Sequence, residues 1–191
     1  MPIDLQPPEP AALMCAIMAG SGNGLECSRG RLEAMFGSVP LASAVYSFDC
    51  STYYHREMGP GLVKQLVCFA ERLEPHRLAA VKRRTMELER RLACRTCDGV
   101  VRRRVNVDPG LVTVESLVLA TTKYSGHRVC IARGLYAEVT LLFRRGGCSA
   151  FEWTYPDYRT APVQDFLLRV RGELLLERRR NADGGTGAAD E

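Results

Sequence analysis

The most constraining stretch of the chain is GHRVCIARGLYAEVTLLFRRGGCSAFEWTY, Gly126 to Tyr155, where apolar and polar residues alternate through three short runs. The runs break at Arg133-Gly134 and at Arg145-Gly146-Gly147. Strand side chains point alternately to opposite faces, and short Gly-bearing breaks reverse the chain, so the pattern predicts three antiparallel strands in a meander. Such a sheet has an apolar face to cover, and the rest of the chain must supply the cover.

The chain has 191 residues, which suits one domain that buries roughly 70% of its unfolded surface. Leu13–Met18 reads as a buried strand, followed by a Gly/Ser/Asn turn and a helix over Leu25–Phe36 that Gly37 ends. SAVYSFDC, from Ala44 to Cys50, alternates as a second strand, and Gly59-Pro60-Gly61 introduces a predicted helix over Leu62–Leu73. Pro75 starts a longer helix whose Leu78, Val81, Thr85, Leu88 and Leu92 form one stripe between charged residues. VVRRRVNVDPG reads as a strand stopped by Pro109-Gly110. TVESLVLATTK, behind Thr113 as N-cap, is predicted helical, with strand as the other reading. Thr160 caps a closing helix with Val163, Phe166, Leu167, Val170 and Leu174 on its inner face. The fold class is therefore α+β: a largely antiparallel sheet with a C-terminal three-strand meander and helices packed mainly on one face. Residues 1–10 and 181–191 are expected to be disordered tails around a single domain over 11–180.

The formal charge is +4, and the excess sits in Lys82-Arg83-Arg84, Arg90-Arg91, Arg102-Arg103-Arg104 and Arg178-Arg179-Arg180. Two readings are open: solvated faces, or contacts to phosphate, RNA or an acidic protein. The eight Cys follow no secretory signal and read as reduced thiols of a cytoplasmic protein. Only Cys94 and Cys97 form a CxxC, and no second pair or HxxxH completes a zinc set. The apolar run AALMCAIMAG is about half of what a bilayer span needs, so no membrane role is expected.

Sorting each predicted strand by face places Arg104, Asn106 and Asp108 together, opposite Val105 and Val107. In the meander, Ala137, Val139, Leu141 and Phe143 take the apolar face and Tyr136, Glu138, Thr140 and Leu142 the other. In the last run, Glu152 and Thr154 oppose Phe151, Trp153 and Tyr155, with Trp153 expected in the core. Short carboxylates grouped on one face repel unless a cation joins them, and they are the groups that hold Mg²⁺ or hydroxyls. Asp108, Glu138 and Glu152 are therefore the candidate catalytic residues, with Mg²⁺ the candidate cofactor and the sheet's solvated polar face the plain alternative. Arg104, Lys123, His127 and Arg159 are candidates to face an anionic group, and Tyr155 to rim the site. Asp157 joins them, unless it simply pairs with Arg159. FDCSTYYHREMGPG adds Asp49, Tyr54 and Glu57 at a strand end, where binding groups collect. GSGNG, with Gly20, Gly22 and Gly24, precedes a helix as anion-binding loops do, but it matches neither GxGxxG nor GxxxxGK[ST]. No GxSxG, HExxH or DxDxDG segment occurs.

Four blocks, FDCSTYYHREMGPGL, RRVNVDPGLVTVESLVLATTK, HRVCIARGLYAEVTLLFRRG and EWTYPDYR, resemble the bacterial family catalogued as domain of unknown function 4416. The resemblance spans about Leu13 to Leu174 and implies a cytosolic bacterial protein, some of whose relatives are labelled GTP-binding. Asp49, Tyr54, Glu57, Gly59, Asn106, Asp108, Gly110, Lys123, His127, Glu138, Glu152, Tyr155, Asp157 and Arg159 fall within its motif blocks, while SGNG and CRTCDG depart from them. The resemblance brings no mechanism, and no guanine-reading segment is present. The function expected is binding of a compact polar or phosphate-bearing ligand, a nucleotide among the candidates. The alternative is an interaction module whose Arg-rich helix meets RNA or an acidic protein.

Overall fold

The computed structural model describes residues 3–5, 8–97, 99–145 and 147–184; the remainder of the expected tails, at 1–2, 6–7 and 185–191, lies outside the described residues. In chain order come β1 (Ala11–Ala19), α1 (Gly22–Phe36), the two-residue strands β2 (Leu41–Ala42) and β3 (Tyr46–Ser47), and the single turn α2 (His55–Met58). Next are β4 (Val63–Leu73), a 3-10 turn (Pro75–Arg77) leading into α3 (Leu78–Leu92), and a small hairpin of β5 (Cys94–Arg95) and β6 (Val101–Arg102). The second half holds β7 (Val105–Val112), β8 (Ser116–Thr121), β9 (Val129–Ala132), β10 (Leu135–Arg144) and β11 (Gly147–Ala150). A 3-10 turn (Pro156–Arg159) then opens α4 (Ala161–Gly184), which continues past the expected domain end at 180. The main sheet is antiparallel in the order β11-β10-β8-β7-β1-β4-β2, with β3 added on β4 and β9 on β10.

The α+β class is as expected, but the three-strand meander is not: β8 takes the inner edge of β10, so β9 and β11 both pair with its outer edge instead of flanking it on opposite sides. All nine residues of β1 are buried, because both faces of the sheet are covered at its centre. Ala12, Met14 and Ala16 pack with Val163, Phe166, Leu167 and Val170 of α4, whereas Leu13, Cys15 and Ile17 pack with Leu25 and Leu32 of α1 and Val81 and Leu88 of α3. Two of the three long helices thus share one face and α4 takes the other. Each large apolar side chain buried in this way contributes about 1.5–3 kcal/mol. The predicted first helix forms with Ser21 as its N-cap, accepting from the Gly24 N–H at 3.3 Å, and Gly37 ends it at φ 93°, a left-handed backbone that glycine adopts without strain.

Two predicted helices are strands. Leu62–Leu73 is β4, the longest strand, because Leu66, Val67, Cys68 and Phe69 are buried on alternating sides between β1 and β2. An unbroken apolar run is equally a buried helix or a two-sided strand, and only the neighbours decide. TVESLVLATT is β8: the Thr113 hydroxyl accepts from the N–H groups of Glu115 and Ser116 and closes a reversal, not a helix start. Of the predicted strand Ala44–Cys50, only Tyr46–Ser47 pairs, against β4.

Pro109-Gly110 does not stop β7, which runs through both residues in register with β1. It stops the pairing of β7 with β8, whose ladder contains only Gly110 with Leu119, Leu111 with Val118 and Val112 with Leu117. The next residue of β7 is Pro109, which has no N–H to offer. From there β8 stays with β10, through Ala120 with Ala137 and Thr121 with Tyr136, and leaves β7. The exposed β7 edge is completed by α3 instead: the Val107 N–H donates to Glu89 Oε1 at 2.7 Å, and Lys82 Nζ donates to the Val107 carbonyl at 3.0 Å.

FEWTYPDYR is a corner. The last strand ends at Ala150, so Glu152 and Thr154 do not share a strand face as predicted. Instead, between β9 and β11 on the outer edge of β10, Trp153 Nε1 donates to the Val139 carbonyl at 2.9 Å and Thr154 Oγ1 to the Thr140 carbonyl at 2.6 Å. Trp153 consequently lies at the surface, 37% exposed, rather than in the core. The β10 register shifts between Val139 and Leu141, so Leu141 and Phe143 fall on the face of Glu138 and not opposite it as predicted; Glu138 and Thr140 are buried, while Val139 is exposed.

A Cβ on residue 110 would stand 2.6 Å from Leu119 Cδ2 and 2.8 Å from the Val118 carbonyl oxygen, so only glycine lets β7 and β8 meet there. Gly110→Ala is expected to lower stability by about 1–3 kcal/mol, read as a reduced urea midpoint at unchanged slope. A wild-type midpoint would show that the strands are not held this close.

Candidate functional site

Where β7 and β8 part, a cleft of about 580 Å³ opens, bounded by β1, β4, β8, β10 and the corner that leads into α4. Its floor is charged. From β7, Asp108 Oδ1 accepts from Lys82 Nζ at 3.1 Å and Oδ2 from Asn106 Nδ2 at 2.7 Å. The Asn106 oxygen accepts in turn from Arg103 at 2.8 Å, and Arg103 grips Glu57 through two bonds of 3.1 and 2.6 Å and reaches Glu89 at 3.4 Å. Asn106, Lys82 and Glu89 are buried, while 32% of the Asp108 side chain stays accessible. The chain of contacts ties α3, β7 and α2 together.

A second buried pair closes the inner end. Lys64 Nζ, from β4, lies 2.5 Å from Asp157 Oδ2, which also accepts from the Tyr46 hydroxyl at 3.1 Å. The ammonium stands over the rings of Phe48 and Tyr158, at 5.1 and 4.9 Å. On the opposite wall Glu138 Oε2 receives Arg128 Nε at 2.6 Å and lies 2.9 Å from His127 Nε2, whose other ring nitrogen contacts Ser125. His127 stacks on Trp153 with ring centroids 4.7 Å apart. At the mouth are Tyr53, Tyr54, Tyr155 and Lys123, with Lys123 Nζ 3.8 Å above the Tyr53 ring.

Of the residues singled out in the sequence, Asp108, Asn106, Glu138, Lys123, Tyr54, Tyr155 and Asp157 line this one cleft. His127 stands behind its wall. The other five do not line it. Glu152 is exposed, and Arg159 donates to the carbonyls of Phe151, Glu152 and Thr154, so it staples the corner. Asp157 therefore pairs with Lys64, not with Arg159. Asp49 is exposed, and Glu57 and Arg104 line a separate hollow with Gly20, Ser21 and Gly24. The three carboxylates proposed to converge are thus two, Asp108 and Glu138, each already matched by a cation. Among the described residues no group of three or more His, Cys, Asp or Glu is placed to hold a metal ion, Cys94 and Cys97 included, so the donor set for Mg²⁺ does not assemble.

Sequence reasoning passed over Lys64, Lys82, Glu89, Arg103, Arg128 and Tyr158, all of which line the cleft. Lys64 was hidden by reading β4 as a helix. Lys82 belongs to a basic cluster whose two sequence readings both leave it at the surface, yet Lys82 and Glu89 stand seven residues apart and flank the Val81–Leu88 stripe, where opposite charges on one helical flank are a usable signal.

The electrostatics follow from depth and partners. Burial pushes the Asp108 carboxyl up, but Lys82, Lys64 and the bonds from Lys82 and Asn106 outweigh it and hold the acid below its usual range. Burial dominates at Glu89 and raises it, against the pull of Lys82 and the Val107 N–H. Burial also raises the phenols of Tyr54 and Tyr158 and the thiol of Cys50, which keeps them protonated at neutral pH.

Asp108, depressed in the folded protein, adds stability above its unfolded value near 3.9 that is lost as pH falls through the lower folded value. Glu89 acts oppositely, and its acidification relieves a cost of folding. The stability difference between wild type and Asp108→Asn should therefore narrow as pH drops below about 4, measured by urea denaturation at pH 6 and across the acid range; a constant difference would refute the ion pair. Lys64→Met should cost about 3–5 kcal/mol by stranding Asp157, and Lys64→Met combined with Asp157→Leu should recover part of that loss in the same assay.

No curated protein and no solved structure matches the chain. A family model does match, over residues 9–173, which takes in every element that shapes the cleft. The chain belongs to the family described as Domain of unknown function (DUF4416).

Proposed function

We propose that this protein binds a compact polar ligand, anionic or phosphate-bearing, in the cleft between β7 and β8. One observation carries the reading: the ion pairs Lys64–Asp157, Lys82–Asp108 and Arg128–Glu138, buried except for the accessible side of Asp108, all line one cavity instead of being packed over. Buried pairs gain little stability over apolar packing, so three of them facing one hollow fit a recognition surface better than a structural core. Aromatic walls from Tyr53, Tyr54 and Tyr155 complete it, suited to the apolar face of a sugar or a ring. Binding in this reading uses the chain's own side chains and requires no metal.

The Arg-rich face of α3 supports the RNA or acidic-protein reading less well. Arg84 donates to the Met35 carbonyl and covers the Phe36 ring, while Arg90 and Arg91 both pair with Glu87.

A thermal-shift screen of nucleotides, sugar phosphates and divalent ions tests the proposal. A ligand at 100 times its dissociation constant adds about 2.7 kcal/mol. Glu138→Gln, which releases Arg128 and His127 from the wall, should diminish the shift, and joint replacement of Arg83, Arg84, Arg90 and Arg91 should leave it unchanged. A shift that disappears with the four arginines and survives Glu138→Gln would move binding to α3.

A further inference from the structure

Resting on that reading of the cleft, we infer the orientation and class of its ligand: a compact hydroxylated molecule with one anionic group, hydroxyl end against Asp157 and Tyr158, anion outward at Lys123. Sugar phosphates and hydroxy acids have this form.

The inner end is defined by unmet hydrogen-bonding capacity. Among the described residues three buried side-chain oxygens have no partner: Asp157 Oδ1, the Tyr158 hydroxyl and Thr140 Oγ1. Asp157 and Tyr158 are 5% and 2% exposed, are adjacent in sequence, and both line the cleft. Buried polar atoms are nearly always partnered, so two orphans on adjacent residues that line one cavity point to a group that arrives from the cavity. Lys64 adds to them: its ammonium has three N–H groups, and its bond among the described residues is the one to Asp157 Oδ2.

The chemistry of these atoms selects the group. A carboxylate oxygen only accepts, a phenol both donates and accepts, and an ammonium only donates. A hydroxyl satisfies all three, donating to Asp157 Oδ1 while its two lone pairs accept from Tyr158 and Lys64. A carboxylate or a fully ionised phosphate ester has no proton for Asp157, and any anion is repelled by it and by Asp108. The anion is therefore excluded from the inner end.

The mouth supplies the opposite setting. Lys82, Arg103, Arg128 and Lys64 are each matched by a carboxylate, but Lys123 makes no ion pair among the described residues. It is exposed and held above Tyr53 and Tyr54 at 3.8 and 6.0 Å, so its position is set while its charge stays unneutralised. A single cation at the entrance of an otherwise balanced cleft fits a single anionic group.

Isothermal titration of the full chain tests this with glycerol 3-phosphate, ribose 5-phosphate, glucose 6-phosphate and gluconate, beside the unphosphorylated polyols and inorganic phosphate. At least one hydroxylated anion should bind, more tightly than its uncharged form and than inorganic phosphate. Tyr158→Phe should weaken it by about tenfold, the loss of one hydrogen bond, while the melting temperature of the free variant holds or rises because an unpartnered hydroxyl has been removed. Lys123→Gln should also weaken it by about tenfold, abolish the salt dependence of binding, and leave the affinity for the uncharged polyol unchanged. If wild type binds none of these probes and no compound of the wider screen, the cleft reading itself fails. If a ligand binds but inorganic phosphate is the tightest probe, or both variants bind like wild type, the orientation is wrong and the cleft stands. A lower melting temperature for Tyr158→Phe would also overturn it, by showing that the hydroxyl already has a partner.

Discussion

The departure of β8 from β7 at Pro109 is the event on which the rest of this molecule depends. A ladder needs a donor at every second residue, and proline removes one at the point where the next pair would form. Gly110, immediately before that point, allows the closest approach of the two strands, so contact and separation occur within two residues. The backbone left bare at Val107 is taken up by Glu89 and Lys82. Two charged side chains of a helix thereby do the work of a neighbouring strand, and the space that strand would have filled becomes the cleft.

That substitution explains why the site is charged. A strand edge completed by main-chain groups is neutral, whereas one completed by a lysine and a glutamate brings ions into the interior, and buried ions require partners. Asp108 answers Lys82, and Arg103 answers Glu89 and carries the contact onward to Glu57 in α2. The opposite wall repeats the logic at Glu138, held between Arg128 and His127, with His127 set by its stack on Trp153. Trp153 and Thr154 are placed by their bonds to the outer edge of β10, so the surface corner orients the wall of the cleft from behind.

Much of this was legible along the chain, and what was not has identifiable causes. The stripes of α3 and α4, the Gly37 stop of α1 and the Gly-bearing reversals around β10 are local patterns, and the structure contains them. β4 and β8 were misread because an apolar run with both faces covered has no period of its own. Seven of the thirteen candidate residues meet in the cleft, and Asn106, Asp108 and Glu138 are the three that alternation along β7 and β10 sorts there. Glu152 failed because its segment is a turn, and one register shift after Val139 puts Leu141 and Phe143 on the face of Glu138 instead of opposite to it.

The sequence by itself determined the helical stripes, the turns, the alternation that groups Asn106 with Asp108, and the proline that no ladder accommodates. These are properties of a few neighbouring residues, set by backbone sterics and side-chain period. Tertiary structure decided which apolar run became the central strand, that Lys82 and Glu89 turn inward, and that Lys64 meets Asp157 across 93 positions. A charge enters the interior only where a partner from another element neutralises it, and which elements become neighbours is a property of the packed sheet, written in no single stretch of the chain.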